Sequence, residues 1–360
     1  MTQAEQEVIP SSLLPPDMMP KRLSQSLPFR TARELSALTP EHPHWIVENI
    51  LAAGAITELD AKVKVGKTTF ILSMIAAQLR GEPFLGLATQ ATPILYLTEE
   101  RATSFKEVLG RMSLSDEDQL HILSWTDVVG KSWPVVVPQV VKYAKDIGAA
   151  MLVVDTLGRW AGLNDDSENS AGATMEAMGP LEIAAAQGLA VLIARHDRKS
   201  GGELGDSGRG SSAFSGVSDI VLSLRRMGKN DHHSRRVLQG VGRFDGIPEQ
   251  LVVEWSNGQY VALGDSLNVE HQEARRGLLE VLPGLDKAPG LILDALVEKT
   301  GAKRSTLQRA LMGLERERRI AKYNGAGKTG RGNGYTLAGQ GNDVPIIDNG
   351  LGHSPFPHVL

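Results

Sequence analysis

The sequence predicts an α/β protein in which a large, mostly parallel sheet is followed by a small domain of helices and a hairpin. Three observations lead to this fold class. From about residue 29 to residue 265, short apolar runs alternate with helical stretches, as in repeated βαβ units. From 270 to 338, three helical stretches precede two strand-like pieces. The composition, with 41% hydrophobic and 22% charged residues, is that of a globular protein.

The elements of the first domain follow from the spacing of apolar and turn-forming residues. The apolar runs predict strands at Ala55–Leu59, Ile94–Thr98, Ala150–Asp155, Leu189–Ala194 and Asp219–Leu224. Turn residues between two further runs predict a hairpin of Arg235–Val241 with Gln250–Trp255. Helices are predicted at Lys67–Arg80, Thr103–Met112, Pro138–Ile147 and Thr174–Gln187.

The two ends of the chain and its composition limit the environment. Residues 1–28 are rich in proline, serine and glutamine, and residues 339–360 look similar, so we expect two disordered tails. The chain has no cysteine, which excludes structural disulfides and cysteine-bound zinc. Its apolar runs fall far short of the roughly 18 residues of a membrane-spanning helix, and no secretory signal is visible. We therefore expect a cytoplasmic protein that does not contact membranes.

A phosphate-binding loop is predicted where the first strand meets the first helix. Residues 61–69 read AKVKVGKTT, which fits the pattern G-x-x-x-x-G-K-[ST] except that Ala61 replaces the first glycine. In such a loop, backbone N–H groups surround phosphate oxygens, the lysine reaches the β- and γ-phosphates and the hydroxyl holds Mg²⁺. The pattern therefore predicts ATP and Mg²⁺ as ligands. The predicted nucleotide-binding residues of the loop are Lys64, Val65, Gly66, Lys67, Thr68 and Thr69.

Two apolar strands end in carboxylates that could serve the bound nucleotide. The run MLVVD ends in Asp155, which we expect on the strand beside the phosphate-binding loop. There it would bind nucleotide and, with Thr68, hold Mg²⁺ and its water shell. The run ILYLT is followed by Glu99 and Glu100, one of which could polarise the attacking water as a general base. We favour Glu99, with Glu100 as the alternative.

Four short segments carry a resemblance to a known family. They are DTLGRW at 155–160, DSEN at 166–169, RHDRK at 195–199 and RGSS at 209–212. With these segments in this order, the region from about residue 30 to residue 262 resembles the plasmid RepA family of hexameric replicative helicases, a branch of the RecA-like ATPases. The resemblance implies a RecA-like core and a ring of six subunits with nucleotide at each interface. His196 matches the histidine that ends the family's fourth core strand and senses the γ-phosphate.

Two positions depart from the family pattern. Arg195 stands where the RepA helicase has the first of two tandem histidines. The position of that helicase's arginine finger is Asp219 here, and an aspartate cannot neutralise γ-phosphate charge across a subunit interface. Arg209 and Arg243 are the alternatives, the latter at a hairpin turn where ring helicases of the DnaB kind carry a basic finger. The sequence leaves this choice open.

The second domain is predicted to be a winged helix-turn-helix, because three helices followed by a two-stranded hairpin is the order of that fold. The helices are predicted at Glu270–Val281, Leu291–Thr300 and Arg304–Arg319, and the strands at Ile320–Tyr323 and Gly334–Leu337. Leu307, Leu311 and Leu314 lie at helical spacing and would form the buried stripe of the third helix.

The same domain carries a basic patch. Between residues 303 and 331, nine basic residues stand against two acidic ones, in a chain whose net charge is −4. Such a local excess favours contact with nucleic acid. The candidate DNA-binding residues are Arg304, Ser305, Gln308 and Arg309 on the third helix, and Lys328 and Arg331 on the glycine-rich turn. The alternative is a winged helix that contacts protein, with its basic residues solvated.

These patterns together favour an ATPase that acts on DNA. We expect a helicase or translocase in the replication or repair of a mobile element, with single strands at core loops near Trp160 and duplex at the winged helix. The alternative is a DNA-binding regulator or loader that uses ATP for assembly without unwinding. A KaiC-like signalling ATPase with a protein-contact domain is a third interpretation.

Overall fold

The computed structural model describes residues 29–163, 170–196, 212–227, 234–287, 290–326 and 332–338. Both predicted tails, 1–28 and 339–360, lie outside these ranges. The chain divides into the compact units Met1–Pro43 and His44–Leu360. The predicted domains, 29–265 and 270–338, stay a prediction.

The described part of the first unit contains helix α1 (Ala32–Leu38). Thr31 caps it, because its hydroxyl oxygen accepts a hydrogen bond from the backbone N–H of Glu34, whose carboxylate accepts one from the N–H of Thr31. None of the residues of α1 is buried. Local capping rather than packing therefore stabilises this helix within its unit.

The second unit contains the remaining elements. Its strands are β1 (Trp45–Val47), β2 (Leu51–Ala52), β3 (Ile56–Ala61), β4 (Ile94–Thr98), β5 (Leu120–Ser124), β6 (Met151–Asp155), β7 (Ala190–His196), β8 (Ile220–Arg226), β9 (Arg235–Gly242), β10 (Leu251–Ser256), β11 (Gln259–Gly264), β12 (Leu291–Ile292), β13 (Ile320–Ala326) and β14 (Gly332–Leu337). Its helices are α2 (Lys67–Leu79), α3 (Ala102–Arg111), α4 (Trp133–Ile147), α5 (Leu157–Trp160), α6 (Ala171–Ala186), α7 (Ser212–Val217), α8 (Ser266–Val281), α9 (Leu293–Thr300) and α10 (Arg304–Arg316). Within the described ranges, no helix has both the length and the apolar character needed to cross a membrane.

The main sheet confirms the predicted fold class. Among the described residues, nine strands form this sheet in the order β11-β10-β9-β8-β3-β7-β6-β4-β5. The strands from β8 to β5 in this order are parallel, whereas β9, β10 and β11 continue antiparallel. This mostly parallel α/β sheet is consistent with a RecA-like P-loop core. We call the edge where Ala61, Thr98, Asp155 and His196 end their strands the carboxyl edge.

Helices cover both faces of the sheet, which explains why its central strands read as continuous apolar runs. In β6, Met151 and Val153 belong to the core on the side of α2 and α3, whereas Leu152 and Val154 belong to the core on the side of α4 and α6. All four side chains are fully buried. A sheet packed on both faces gives the carboxyl edge a rigid support.

The predicted elements of this sheet are present, with most ends within three residues of the prediction. The prediction omits β5 and β11, which lie at the two edges of the sheet. Apart from Leu120 and Tyr260, the residues of these strands are half-buried or exposed, so neither strand has the continuous buried apolar run that marks a central strand. The edges of the sheet are therefore the part that the apolar pattern misses.

The predicted start of α4 at Pro138 is wrong, since the helix begins at Trp133. Pro134 lies in the first turn, where a missing N–H costs nothing. Pro138 removes one hydrogen bond from the helix, but Val136 and Val137 before it and Val140 after it are buried. Burial of these side chains outweighs the lost bond.

The C-terminal part of the second unit has a core of its own. In the described residues, α8, α9 and α10 precede the β13–β14 hairpin as predicted, and β12 extends it to the sheet β12-β14-β13. Leu307, Leu311 and Leu314 are at most 2% exposed, which confirms the buried stripe. α10 ends at Arg316 rather than at Arg319, because Arg318 adopts a positive φ of 57° that a helix cannot accommodate. The interpretation as a winged helix-turn-helix stays a prediction.

Candidate functional site

The predicted phosphate-binding loop connects β3 to α2 at the carboxyl edge. Gly66 has a φ of 110°, a left-handed conformation that glycine adopts without strain. Among the described residues, no side chain caps the first turn of α2, so its backbone N–H groups remain available to an anion. The other predicted loop residues are exposed (Lys64), buried (Val65) or half-buried (Thr68, Thr69).

Lys67, the first residue of α2, turns its side chain back over the loop. Its Nζ donates a hydrogen bond of 3.2 Å to the carbonyl oxygen of Ala61 and lies 2.8 Å from Nδ1 of His196. Lys67 is 6% exposed, although its side chain is a cation. The fold thus brings together the two residues expected to contact the terminal phosphates, whose roles stay predictions.

Thr68 and Asp155 form the part of the site that suits a divalent cation. The Thr68 hydroxyl donates to Oδ2 of Asp155 at 2.8 Å, and the hydroxyl of Tyr96 donates to the same oxygen at 2.7 Å. Burial and the charge of Asp155 raise the pKa of Tyr96 well above its usual range, so the phenol keeps its donor proton. Hydroxyl and carboxylate oxygens are ligands that Mg²⁺ prefers, so this donor set fits the ion.

The strand position predicted for Asp155 is wrong. β6, which Asp155 ends, is separated from β3 by β7. The contact with Thr68 still forms, because Thr68 lies beyond the loop at the start of α2. The intervening strand supplies His196 at the same edge. Local apolar runs contain no information on strand order, which is why the sequence does not reveal this insertion.

Glu99 and Glu100 follow β4 and have different partners. The N–H of Glu99 donates to the carbonyl oxygen of Asp155 at 3.0 Å, and its Oε1 accepts a hydrogen bond of 2.9 Å from Thr156. The carboxylate of Glu100 accepts a longer hydrogen bond of 3.5 Å from Ser104. Partial burial raises the pKa of both carboxyl groups; the Thr156 hydrogen bond opposes this at Glu99, and the charge of Asp155 adds to it at Glu100. Both remain candidate general bases.

Two arginines that no sequence pattern singles out hold the loop from the β8 side. Arg226 donates from Nη2 to the carbonyl oxygen of Lys64 at 3.1 Å, and Arg236 donates from Nε to that of Val65 at 2.7 Å. The two arginines face each other across β8 and β9. Finding them from the sequence would require the strand order, because they lie more than 150 positions from the loop. They support a loop that has Ala61 in place of its first glycine.

Arg243 lies at the opposite edge of the sheet. Its guanidinium donates to Oδ1 of Asp219 at 2.8 Å and to the carbonyl oxygen of Gly216 at 2.9 Å. Asp219 precedes β8, so the seven residues of that strand, roughly 20 Å, separate Arg243 from the carboxyl edge. Arg243 therefore does not reach the loop of its own chain. Arg209, the other candidate finger, lies outside the described residues.

Arg195, next to His196, points to the other face of the sheet. Its Nη1 donates to Oε1 of Glu58 at 2.5 Å, and its guanidinium lies 3.7 Å from the centre of the Phe214 ring. Both charged residues are at most 6% exposed. Burial raises the pKa of Glu58 above its usual range, and the charge of Arg195 opposes that shift. Arg195 thus forms a buried ion pair with Glu58.

The single-strand contact expected at core loops near Trp160 stays a prediction, and the Trp160 side chain itself is 5% exposed and packs against Trp133. Its neighbour Arg159 is exposed and places its guanidinium 3.8 Å from the centre of the Trp125 ring. The segments 166–169, 197–199 and 209–211, which carry part of the family resemblance, lie outside the described residues.

The predicted DNA-binding residues of α10 lie on its exposed side. This group comprises Arg304, Ser305, Gln308 and Arg309. Arg304 forms an ion pair with Asp294 of α9, so one basic charge of this surface is partly balanced. Met312 is 59% exposed on the same helix. Lys328 and Arg331 lie outside the described residues.

Comparisons with known proteins extend these observations. A protein-family model described as AAA domain matches residues 20–202, just over half of the chain. Among solved structures, 507 chains match. One is the crystal structure of the KaiC-like protein PH0186 from the hyperthermophilic archaeon Pyrococcus horikoshii OT3, with 16% sequence identity and a TM-score of 0.45, over 60% of this chain and 93% of that chain. No curated protein matches the sequence.

Proposed function

The chain belongs to the AAA domain family, whose RecA-like P-loop core indicates nucleotide binding and hydrolysis, and on this premise we propose that the protein couples ATP hydrolysis to work on DNA. The proposed activity is that of a RepA-like helicase or translocase in the replication or repair of a mobile element, acting in the cytoplasm. The observation that carries the proposal is the presence, in one chain, of the Lys67 and Asp155 cluster and of an exposed basic helix face on α10.

In the proposed hydrolysis, each residue of the carboxyl edge has a separate role. Lys67 neutralises charge on the β- and γ-phosphates, and His196 contacts the γ-phosphate from the end of β7. Thr68 and Asp155 hold Mg²⁺, which supplies further neutralisation of phosphate charge when it is bound. Glu99 takes a proton from the attacking water, with Glu100 as the alternative.

The proposed assembly is a ring in which each ATP lies between two subunits. The position of Arg243 supports it, because this exposed arginine stands at the edge of the sheet away from its own phosphate-binding loop. An arginine there can serve as a finger only toward the nucleotide of a neighbouring subunit. Asp219 orients the guanidinium of Arg243 at 2.8 Å, which gives the aspartate at the family's finger position a structural role.

The proposed DNA contact at α10 is supported by the separation of the faces of this helix. The buried leucines fix α10 in its core, so the residues on the opposite side, including Gln308 and Arg309, are presented on a rigid element. Amide and guanidinium groups can bind both base edges and phosphates. The protein-contact alternative would instead leave this surface without salt-dependent affinity for duplex.

ATP hydrolysis measured with and without DNA, together with displacement of a labelled strand, tests the proposal. We expect single-stranded DNA to stimulate ATP hydrolysis and ATP to drive strand displacement. The Lys67→Ala protein should show neither DNA-stimulated hydrolysis nor displacement. Stimulation without displacement would indicate the regulator or loader. Hydrolysis that DNA does not change would contradict the DNA proposal and favour the signalling ATPase.

A further inference from the structure

We propose that Thr156 is a positioning residue, whose hydroxyl holds the carboxylate of Glu99 in the orientation needed to activate water. This inference rests on the proposed hydrolysis and adds a residue to it. The direct observation is the hydrogen bond of 2.9 Å from Oγ1 of Thr156 to Oε1 of Glu99. Thr156 is buried and its hydroxyl proton is donated to Glu99, so we assign its effect on the reaction to the orientation of that carboxylate.

The pairing of β4 with β6 brings these two residues together. Thr98 ends β4 and pairs in register with Asp155, which ends β6. Glu99 follows Thr98 directly, and Thr156 follows Asp155 directly. The N–H of Glu99 also donates to the carbonyl oxygen of Asp155 at 3.0 Å. The backbone of Glu99 is thereby tied to β6, and the Thr156 hydroxyl is the second tie, which fixes the side chain.

The support of Thr156 is rigid, as a positioning role requires. Thr156 precedes α5, in which Leu157 and Trp160 are buried in the core on the side of α4 and α6. The Trp160 ring packs on that of Trp133, with 6.2 Å between their centroids. A donor anchored in this way loses little freedom when it holds Glu99, so its hydrogen bond restricts the carboxylate effectively.

Arg159 of the same short helix adds a positive charge that acts on Glu99. Its guanidinium stacks on Trp125, which directly follows β5, and its positive charge favours the ionised form of Glu99. The turn after Asp155 therefore contributes both a neutral donor and a cation to the Glu99 carboxylate. The two contributions differ in kind, since only the Thr156 hydroxyl specifies a direction for one oxygen atom.

The test uses the full chain and compares kcat with KM for ATP. Thr156→Val keeps the shape of the side chain but removes the donor, and we expect kcat to fall about tenfold or more while KM changes less than about twofold. Thr156→Ser, which retains a hydroxyl, should restore most of kcat. Thr174→Val in α6 is the matched control, because Thr174 is fully buried and its hydroxyl has no hydrogen-bond partner among the described residues.

A double variant separates this inference from the proposed base. If Thr156 acts through Glu99, adding Thr156→Val to Glu99→Gln should cause no further loss of kcat. An additive loss, or a Thr156→Val protein with unchanged kcat beside an inactive Glu99→Gln protein, would overturn the inference and leave the proposed hydrolysis intact. A fully active Glu99→Gln protein would instead overturn the choice of base, and the positioning role with it.

Discussion

Thr68 and Asp155 share a hydrogen bond of 2.8 Å, although the strands that lead to them are not neighbours. β7 lies between β3 and β6, and it ends at His196, which is 2.8 Å from Nζ of Lys67. Three strands that are neighbours in the sheet, β3, β7 and β6, thus bring a loop, a histidine and a carboxylate to the same point of the carboxyl edge. Such convergence gives a compact site for a phosphate chain and its cation.

Replacing Lys67 by alanine should abolish ATP hydrolysis. The lysine is buried beside the loop, and losing a cation at a transferring phosphate should cost about 3–4 kcal/mol, or two to three decades in rate. Steady-state phosphate release measures this loss, with Lys106→Ala on the exposed surface of α3 as the control. A Lys67→Ala protein that retains more than about a tenth of the wild-type rate would contradict the assignment.

Glu99→Gln should keep nucleotide affinity near that of the wild type while hydrolysis collapses, because only the transition state loses an interaction. Binding of a fluorescent ATP analogue and single-turnover hydrolysis measure the two effects. Glu107→Gln on the exposed side of α3 serves as control. If Glu100→Gln is the inactive variant and Glu99→Gln is not, the base is the neighbour; if both are active, it lies elsewhere.

Tyr96→Phe should raise the Mg²⁺ concentration needed for hydrolysis more than it raises the ATP concentration needed. The variant removes the 2.7 Å hydrogen bond to Oδ2 of Asp155, and loss of such a support typically costs about 10- to 100-fold in metal affinity or activity. The measurement is the Mg²⁺ concentration that gives half-maximal hydrolysis at saturating ATP. The control is Tyr143→Phe, which removes a hydroxyl of α4 that lies near His121 of β5. Equal Mg²⁺ requirements in the two variants would exclude this role for Tyr96.

Breaking the Glu58 and Arg195 pair should destabilise the fold strongly. Arg195→Met leaves a carboxylate buried without its partner, which typically costs about 3–5 kcal/mol in the free energy of unfolding. Replacing both residues by apolar ones should recover much of that loss. Urea denaturation of the two single variants and the double variant measures the coupling, and additive losses would show that the pair contributes nothing as a pair.

The same pair predicts a pH dependence with a definite sign. Burial raises the pKa of Glu58 in the folded protein above its value in the unfolded chain, and removing Arg195 raises it further. The folded state then binds the proton of Glu58 more tightly than the unfolded chain does. Protonation of Glu58 therefore removes the cost of burying its charge and increases the free energy of unfolding. The destabilisation by Arg195→Met should therefore be largest at about pH 8 and shrink toward about pH 5. A destabilisation that grows on acidification would contradict the assignment.

A feature of this molecule can be predicted from the sequence where a local pattern of residues determines it, and cannot where contacts between distant segments decide it. Lys67, Thr68 and Asp155 lie at strand and helix ends that local patterns mark, so both the loop and its carboxylate are predictable. The insertion of β7 is not, because strand order is decided by packing of distant segments. Arg226 and Arg236 reach the loop only through that order, and no pattern near either arginine indicates the contact.

Single side-chain contacts are a second limit of the sequence. Thr156 follows Asp155 directly and was part of the segment that carries the family resemblance, but its contact with Glu99 depends on the register of β4 with β6. A single-strand contact is predicted at core loops near Trp160, but the sequence does not show that the Trp160 ring itself is buried against Trp133. Patterns of residue type identify the site, whereas the partners of each side chain within it follow only from the three-dimensional fold.

The last prediction concerns the contact of α10 with duplex DNA. Each phosphate contact contributes about 0.9 to the slope of log affinity against log salt concentration. Replacing Arg304, Arg309, Lys328 and Arg331 by alanine should therefore flatten that slope by about two to three units, since not every side chain needs to touch phosphate. Fluorescence anisotropy of a labelled duplex, measured at several salt concentrations, gives the slope.

The matched control for that experiment removes the same number of charges from exposed positions of α3 and α4. These positions are Lys106, Arg111, Lys142 and Lys145. A loss of net charge alone would flatten the slope equally in both proteins, whereas contact through α10 and its hairpin would flatten it only in the first. An unchanged slope in the first variant would refute the DNA contact and favour a protein partner for this surface. Stimulation of hydrolysis by single strands should survive in both variants, because the proposed single-strand contact belongs to the ATPase core.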